Sequence, residues 1–257
     1  VIAGIPLSIV GVDGCKGGWI AVSADPGHAP AVRIYATFAA LVADLPANAL
    51  IAVDMPIGLP DFTGEGGRGP ESLARPLLKE RQSSVFSIPS RSAVYAETAP
   101  FTTVDEWYAA HRRASAVARQ TSEPPRGISI QAFGIFSKIR EIDALLVAEP
   151  ALRTRIYESH PEVAFCRLNN GEPMSLPKKI KGAVNPAGMA QRKALLCRYG
   201  YAQAFVDQSP PPGAALDDFL DAAAMMLIAA RIVLGEARSL PDPPLLDRHG
   251  ISVAIWV

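Results

Sequence analysis

The stretch Leu216-Asp-Asp-Phe-Leu-Asp-Ala-Ala-Ala-Met-Met-Leu-Ile-Ala-Ala-Arg231 constrains this chain more than any other segment. It reads as a strongly apolar helix, and a helix apolar all round must be buried. Asp218 and Asp221 lie near its start. Residues three apart share a helix face, so the two carboxylates sit side by side at the edge of a buried element. Crowding like charges away from water is costly unless something neutralises them. A divalent cation does so: Mg²⁺ binds through one or two carboxylates and keeps waters for a phosphate substrate. The competing explanation is capping, because acids in a first turn complement the helix dipole. Capping accounts for one or two of Asp217, Asp218 and Asp221, but hardly for three.

The remaining composition narrows the class. At 257 residues, 49% hydrophobic and 19% charged, the chain has the makings of a globular protein with a sizeable core. Lys+Arg 25 balances Asp+Glu 25, which argues against a nucleic-acid coat protein but leaves room for a local basic patch. Cys15, Cys166 and Cys197 form no Cys-x-x-Cys pair, so neither a disulfide framework nor a zinc site is implied, and a cytoplasmic location is expected. Val1-Ile-Ala-Gly-Ile-Pro6 lacks the pattern of a signal peptide. The apolar run near Met225 is too short to span a bilayer.

Along the chain, Leu7–Val12 and Trp19–Ser23 read as a hairpin around Asp13-Gly-Cys-Lys-Gly-Gly18. Ala31–Ala36 reads as a third strand, Phe38–Asp44 as a short helix, and Ala49–Asp54 as an apolar strand ending on a carboxylate. Residues 61–150 carry more Pro, Arg, Ser and charge, and begin with the Gly-rich loop Gly64–Gly69. Helices are expected near Val104–Thr121 and Ile130–Val147, in what reads as an insertion on a single domain spanning 1–257. Thr154–Glu158 reads as a strand, and Ser159-His-Pro-Glu162 opens a helix with proline in its first turn. Asn185–Tyr199 reads as a basic helix and Gly250–Val257 as a closing strand. The proline-rich patches Ser209–Gly213 and Pro241–Pro244 read as connectors.

Three apparent strands thus end in Asp13, Asp54 and Glu158, and the late helix begins with Asp218 and Asp221. In open α/β sheets, ligands gather outside the carboxyl ends of the strands. If the strands share a sheet, these side chains converge where one or two divalent ions would bind. Each acid also has a plain structural role available. Asp13-Gly14 is a hairpin turn signal, Asp54 precedes Met55-Pro56 and ends a strand, and Glu158 is placed to cap the helix at Pro161.

Six segments carry a further resemblance: Gly11-Val-Asp-Gly-Cys-Lys-Gly-Gly-Trp19, Ala52-Val-Asp-Met-Pro-Ile-Gly-Leu59, Ser83-Ser-Val-Phe86, Glu158-Ser-His-Pro-Glu162, Lys178-Lys179 and Asp217-Asp-Phe-Leu-Asp-Ala222. In this order, over about Ile9 to Arg231, the chain resembles the domain-of-unknown-function family 429, described as predicted nucleases of ribonuclease H-like fold. The resemblance implies an α/β fold with a mixed sheet flanked by helices. It also implies carboxylates on the first strand, the fourth strand and the last helix, the places of Asp13, Asp54 and Asp218 with Asp221. A pair three apart on the last helix is similar to the Holliday-junction resolvase branch. Where members often show Ser-Lys-Gln, this chain has Ser129-Ile130-Gln131 and lacks that basic group.

Other groups complete the expected site. His160 is placed to ligate a metal, to move a proton, or to make a hydrogen bond at the helix start. Lys16 lies in a Gly-rich turn of the kind that meets phosphates, or is a solvated loop lysine. Lys178, Lys179, Lys181, Arg192, Lys193 and Arg198 make 178–198 basic and free of acids, suited to a nucleic-acid backbone, a nucleotide phosphate, or a solvated face. Ser83, Ser84 and Arg91 would border the same pocket. No P-loop and no Gly-x-Ser-x-Gly motif is present, and Cys15 is expected to pack.

The expectation is metal-dependent phosphodiester hydrolysis. Asp13, Asp54 and Asp218 would hold Mg²⁺ or Mn²⁺, with Glu158 and Asp221 at the rim, and Lys16, Ser84, Arg91, His160, Lys178, Lys179 and Arg192 toward substrate. Two rivals stand beside it: ATP or phosphometabolite binding of the actin-like and sugar-kinase type, and a non-catalytic binding or scaffold role. The first rival calls for a second Asp-Gly hairpin like that at Asp13-Gly14, and the sequence has none.

Overall fold

The computed structural model describes residues 7–257; the segment inspected for a signal peptide lies outside them. Strands β1 (Ile9–Cys15) and β2 (Gly18–Ala24) pair antiparallel, and β3 (Ala31–Tyr35) adds antiparallel to β2. Helix α1 (Phe38–Asp44) follows, its start capped by the Thr37 hydroxyl, which accepts the Ala40 N–H. Strand β4 (Leu50–Asp54) then lies parallel to β1. The chain next forms helices α2 (Pro70–Ala74), α3 (Arg91–Val94), α4 (Val104–Gln120), α5 (Ile130–Gly134) and α6 (Phe136–Ala148). Strand β5 (Ile156–Ser159) returns parallel to β4, giving the order β3-β2-β1-β4-β5.

Helix α7 (Pro161–Leu168), a small hairpin of β6 (Lys179–Ile180) and β7 (Ala183–Val184), and helices α8 (Pro186–Arg198), α9 (Gln203–Asp207) and α10 (Leu216–Val233) follow. Strands β8 (Ser239–Leu246) and β9 (Ser252–Trp256) close the described chain as a separate antiparallel pair. The result is a mixed α/β sheet flanked by helices, compatible with a ribonuclease H-like arrangement.

Alternation along the strands divides the core into two layers. Val10, Val12, Ile51, Val53 and Ile156 face one layer with Phe38, Leu41, Phe136 and Ile139. Ile9, Ile20, Val22 and Ala52 face the other, with Phe165, Leu196 and the length of α10. Every residue of α10 from Phe219 to Ala230 is buried, as its composition requires. Gly11 is what lets the helix sit there. A Cβ at that position would fall 2.0 Å from both the Ala222 oxygen and the Met226 nitrogen, so strand and helix meet backbone to backbone. Among the described residues, no helix is long and apolar enough to cross a membrane.

Four local expectations need correction. Asp13-Gly14 is not the hairpin turn: β1 continues to Cys15, which pairs with Gly18, and Lys16-Gly17 make the turn. The expected helix over Ile130–Val147 is broken after Gly134, where Ile135 leaves helical geometry at φ −101° and ψ 1°. The strand read at Thr154–Glu158 begins and ends later, at Ile156–Ser159. Pro241–Pro244 is not a connector but the middle of β8. Proline is tolerated there because β8 pairs on one side only and its register jumps between Leu240 and Leu245.

Candidate functional site

Asp13 and Asp54 are direct partners in the parallel pairing of β1 and β4, so they project from the same face of the sheet. That face is the one α10 covers, and Asp221 arrives from the first turns of the helix. One carboxylate oxygen from each of Asp13, Asp54 and Asp221 lies within 4.8 Å of the others. Asp13 and Asp54 line a recess of about 330 Å³ together with Lys138, Glu158, His160 and Lys178, and Asp221 bonds the Lys178 that lines it.

The electrostatics of this cluster are unbalanced. The Lys178 ammonium bonds Asp221 and lies 3.8 Å from Glu162. Three carboxylates and one ammonium leave a formal charge of −2 when all are ionised. Burial first, then Asp54, Asp221 and Asp218, raises the Asp13 carboxyl well above the usual range. Burial and the Asp221 charge push Asp54 up to about 8, with Lys178 pulling it back. Burial raises Asp221 to about 6 against the opposing pull of Lys178. Asp221 Oδ1 is buried and has no hydrogen-bond partner among the described residues. Clustered carboxylates, an unpartnered buried oxygen and excess negative charge fit a hard divalent cation with oxygen ligands.

The other predicted residues divide sharply. Asp218, expected as a ligand, lies outside this triad. Its Oδ2 accepts the Ala215 N–H at 2.9 Å, so it closes the helix start while standing near enough to raise Asp13. Glu158 is partnered with Val53 rather than Asp54, and alternation turns it to the opposite sheet face. There it receives two bonds from Arg68 and the Ile57 N–H, which makes it a buried ion-pair member and not a cap for α7. Burial pushes its carboxyl up to about 7, with Arg68 acting the other way.

His160 precedes α7 without capping it through its side chain. Its Nε2 lies 3.2 Å from the Ser84 carbonyl, its Nδ1 is buried without a partner, and burial lowers it to about 4. Ser84 lines the recess, its hydroxyl donating to the Arg81 carbonyl. Arg91 does not border this recess. It is buried between Asp143 and Asp247 beneath a different pocket. Lys16 is exposed at the tip of the β1–β2 hairpin, away from the recess lining.

The basic stretch turns inward more than its charge suggested. Arg192 is fully buried and holds Glu162 with bonds of 2.7 and 3.0 Å. Lys179 pairs with Asp217 and Lys178 with Asp221. These three cations therefore answer acids of the protein itself, and of the three Lys178 also lines the recess. The reason is local supply: α7 and the start of α10 bring Glu162, Asp217 and Asp221 against this stretch.

Sequence reasoning missed Arg68, Glu71, Glu162 and Lys138. The first two sit at the Gly-rich Gly64–Gly69 loop, where Arg68 gathers Glu71, Glu158 and the carbonyls of Ile57 and Gly58. That loop was the available signal; Lys138, in mid-helix, had none. No curated protein and no solved structure matches the chain. The model of the family described as "Protein of unknown function (DUF429)" matches residues 11–245. The chain, with its sheet-borne Asp13 and Asp54 and its helix-borne Asp221, belongs to the DUF429 family.

Proposed function

We propose that this protein is a metal-dependent hydrolase of phosphodiester bonds, with Asp13, Asp54 and Asp221 holding one Mg²⁺ or Mn²⁺. The observation that carries the reading is the convergence of three carboxylates, from two strands and a helix, with only one ammonium among them. A bound divalent cation supplies Lewis-acid polarisation of a phosphoryl oxygen and a water acidic enough to attack near neutral pH. The chain's own residues do the rest. Lys178 holds Asp221 in place. His160 keeps a neutral imidazole at the recess wall. Met55, Pro56, Val85 and Phe86 line the recess and limit water around the acids.

The recess volume stands near the lower end for small-molecule sites, which favours one nucleotide-sized unit at the reacting bond over a duplex edge. The test is Mn²⁺-dependent cleavage of an aryl phosphodiester and of short single-stranded oligonucleotides. Cleavage should require metal and should vanish in Asp54→Asn and Asp221→Asn. Equal cleavage by either variant would overturn the proposal.

One observation supports a second reading. Lys178 already places a positive charge among the acids, as a pocket that binds without a metal would do. Calorimetric titration with Mn²⁺ separates the two readings, since the second expects no heat of binding.

A further inference from the structure

The cations around the recess are not equivalent. Arg68 is matched by Glu71 and Glu158, and Lys178 by Asp221 and Glu162. Lys138, which lines the recess with Asp13 and Gly14, forms no ion pair among the described residues. Its ammonium donates to the Gly18 carbonyl and lies 4.5 Å from the centroid of the Trp19 ring. Glu141, one helical turn later, accepts from the Trp19 indole and the Phe38 N–H instead. An ammonium has three N–H donors, so two remain after Gly18 is served.

Gly14 makes this position possible. A Cβ there would come 2.7 Å from the Lys138 Cδ and 2.9 Å from its Cε. The side chain therefore crosses a strand residue that has no side chain of its own, on the sheet face opposite the Asp13 carboxylate, and reaches the recess past the end of β4.

We infer that Lys138 is the phosphate-binding residue of this site: its ammonium takes a non-bridging oxygen of the ligand's phosphoryl group in the recess that Asp13 and Asp54 also line. The inference rests on the proposed phosphoester function for its place in a reaction, but anion binding is measurable without turnover. The recess is lined by Asp13, Asp54 and Lys138 and also by the apolar side chains of Val85, Phe86 and Ile255, so the fitting ligand carries a phosphate and an apolar or aromatic group.

The probe is inorganic phosphate, titrated calorimetrically into the full chain with and without saturating Mn²⁺, while Mn²⁺ binding is read separately by electron paramagnetic resonance. Lys138→Gln should weaken phosphate binding about tenfold or more, the scale of one charge-assisted hydrogen bond. Its Mn²⁺ affinity should be unchanged or higher. Lys138→Arg should retain most of the phosphate affinity. Gly14→Ala keeps the charge but displaces the ammonium, so it should lose phosphate affinity by a smaller factor.

Phosphate binding by Lys138→Gln equal to that of the unaltered protein would overturn the inference, as would no phosphate binding by the unaltered protein under either condition. Failure of Mn²⁺ to bind strikes the metal proposal alone, because the metal-free phosphate titration still decides the role of Lys138.

Discussion

Two groups of carboxylates, buried or half-buried, line the same recess and are treated in opposite ways. Glu71 and Glu158 close on Arg68, with bonds of 2.7 Å from its Nε and its Nη2 and further donors from the Arg68 and Ile57 N–H groups. Among the described residues, Asp13 and Asp54 receive no such donors. Burial and neighbouring negative charge dominate their environment, and Lys178 is the main relief. The residue types are alike; the accounting differs. A cluster whose oxygens are all satisfied holds a loop to a strand. One left short of positive charge is where the proposed cation would bind.

Variants can break this contrast. The largest effect is expected for Arg68→Met, which leaves Glu71 and Glu158 buried without their partner. Urea unfolding should show a loss of about 3–5 kcal/mol. A loss under 1 kcal/mol would mean that the two carboxylates are readily rehydrated or protonated, and the contrast would disappear.

Asp54→Asn and Asp221→Asn test the other side. Each should lower Mn²⁺ affinity by roughly 10–100-fold or more. Metal-free stability should hold or rise in Asp54→Asn, because repulsion is relieved. Unfolding of the Asp54→Asn variant would instead mark that residue as structural.

Lys178→Met removes the cation shared by Asp221 and Glu162. It should cost about 1.5–3 kcal/mol in metal-free stability, while Mn²⁺ at saturating concentration restores part of it. A variant that loses stability with no rescue by Mn²⁺ would favour the metal-free reading of the pocket.

The pH dependence follows from the raised carboxyls. Asp54, at about 8, holds a proton in the folded state over a range in which the unfolded chain has already released it. The folded state therefore binds more protons, and metal-free stability falls as pH rises toward 8. His160, lowered to about 4, acts oppositely, but only between about pH 4 and the ordinary imidazole value near 6.5. Thermal melts between pH 7 and 8 should thus show a decline of up to about 1.4 kcal/mol per pH unit per coupled proton. The decline should shrink in Asp54→Asn. Mn²⁺ binding should strengthen over the same range, since the metal displaces the protons. A flat profile from pH 7 to 8 would contradict the crowding of Asp13 and Asp54.

The smallest effect is expected for Asp218→Asn. An amide oxygen can still accept the Ala215 N–H, so stability should change by less than about 0.5 kcal/mol. Its Mn²⁺ affinity should fall far less than that of Asp221→Asn. Equal losses at the two positions would return Asp218 to the ligand set.

Much of the fold was legible because it rests on periodicity. Apolar runs over 7–12 and 49–54 became β1 and β4, and helix α1 came out at Phe38–Asp44 as expected. The candidate site was half legible. Asp13 and Asp54 stood on readable strands, but the partition of the remaining acids did not follow from spacing. Asp218 and Asp221 are near neighbours on one helix, and which of them reaches the triad depends on how α10 is turned and seated. That seating is set by Gly11 against Ala222 and Met226, a contact between residues more than two hundred positions apart. The partner of Glu158 was hidden for a related reason: its face depends on register with β4, which a strand pattern does not state.

The basic stretch carries the same lesson. From sequence, Lys178, Lys179 and Arg192 were charge without partners, because Glu162, Asp217 and Asp221 lie on other elements. What the sequence determined by itself was local: which segments alternate, which helix must be buried, and which carboxylates stand at the ends of buried elements. Hydrophobic period and backbone propensity act within a few residues, and that information is complete in the chain. What only the tertiary structure decided was partnership: Asp221 with Asp13 and Asp54, Arg68 with Glu158, and Lys138 with no carboxylate among the described residues. Coulombic and hydrogen-bond energies depend on distances of a few ångströms between elements, and those distances exist only after the sheet and its helices have packed.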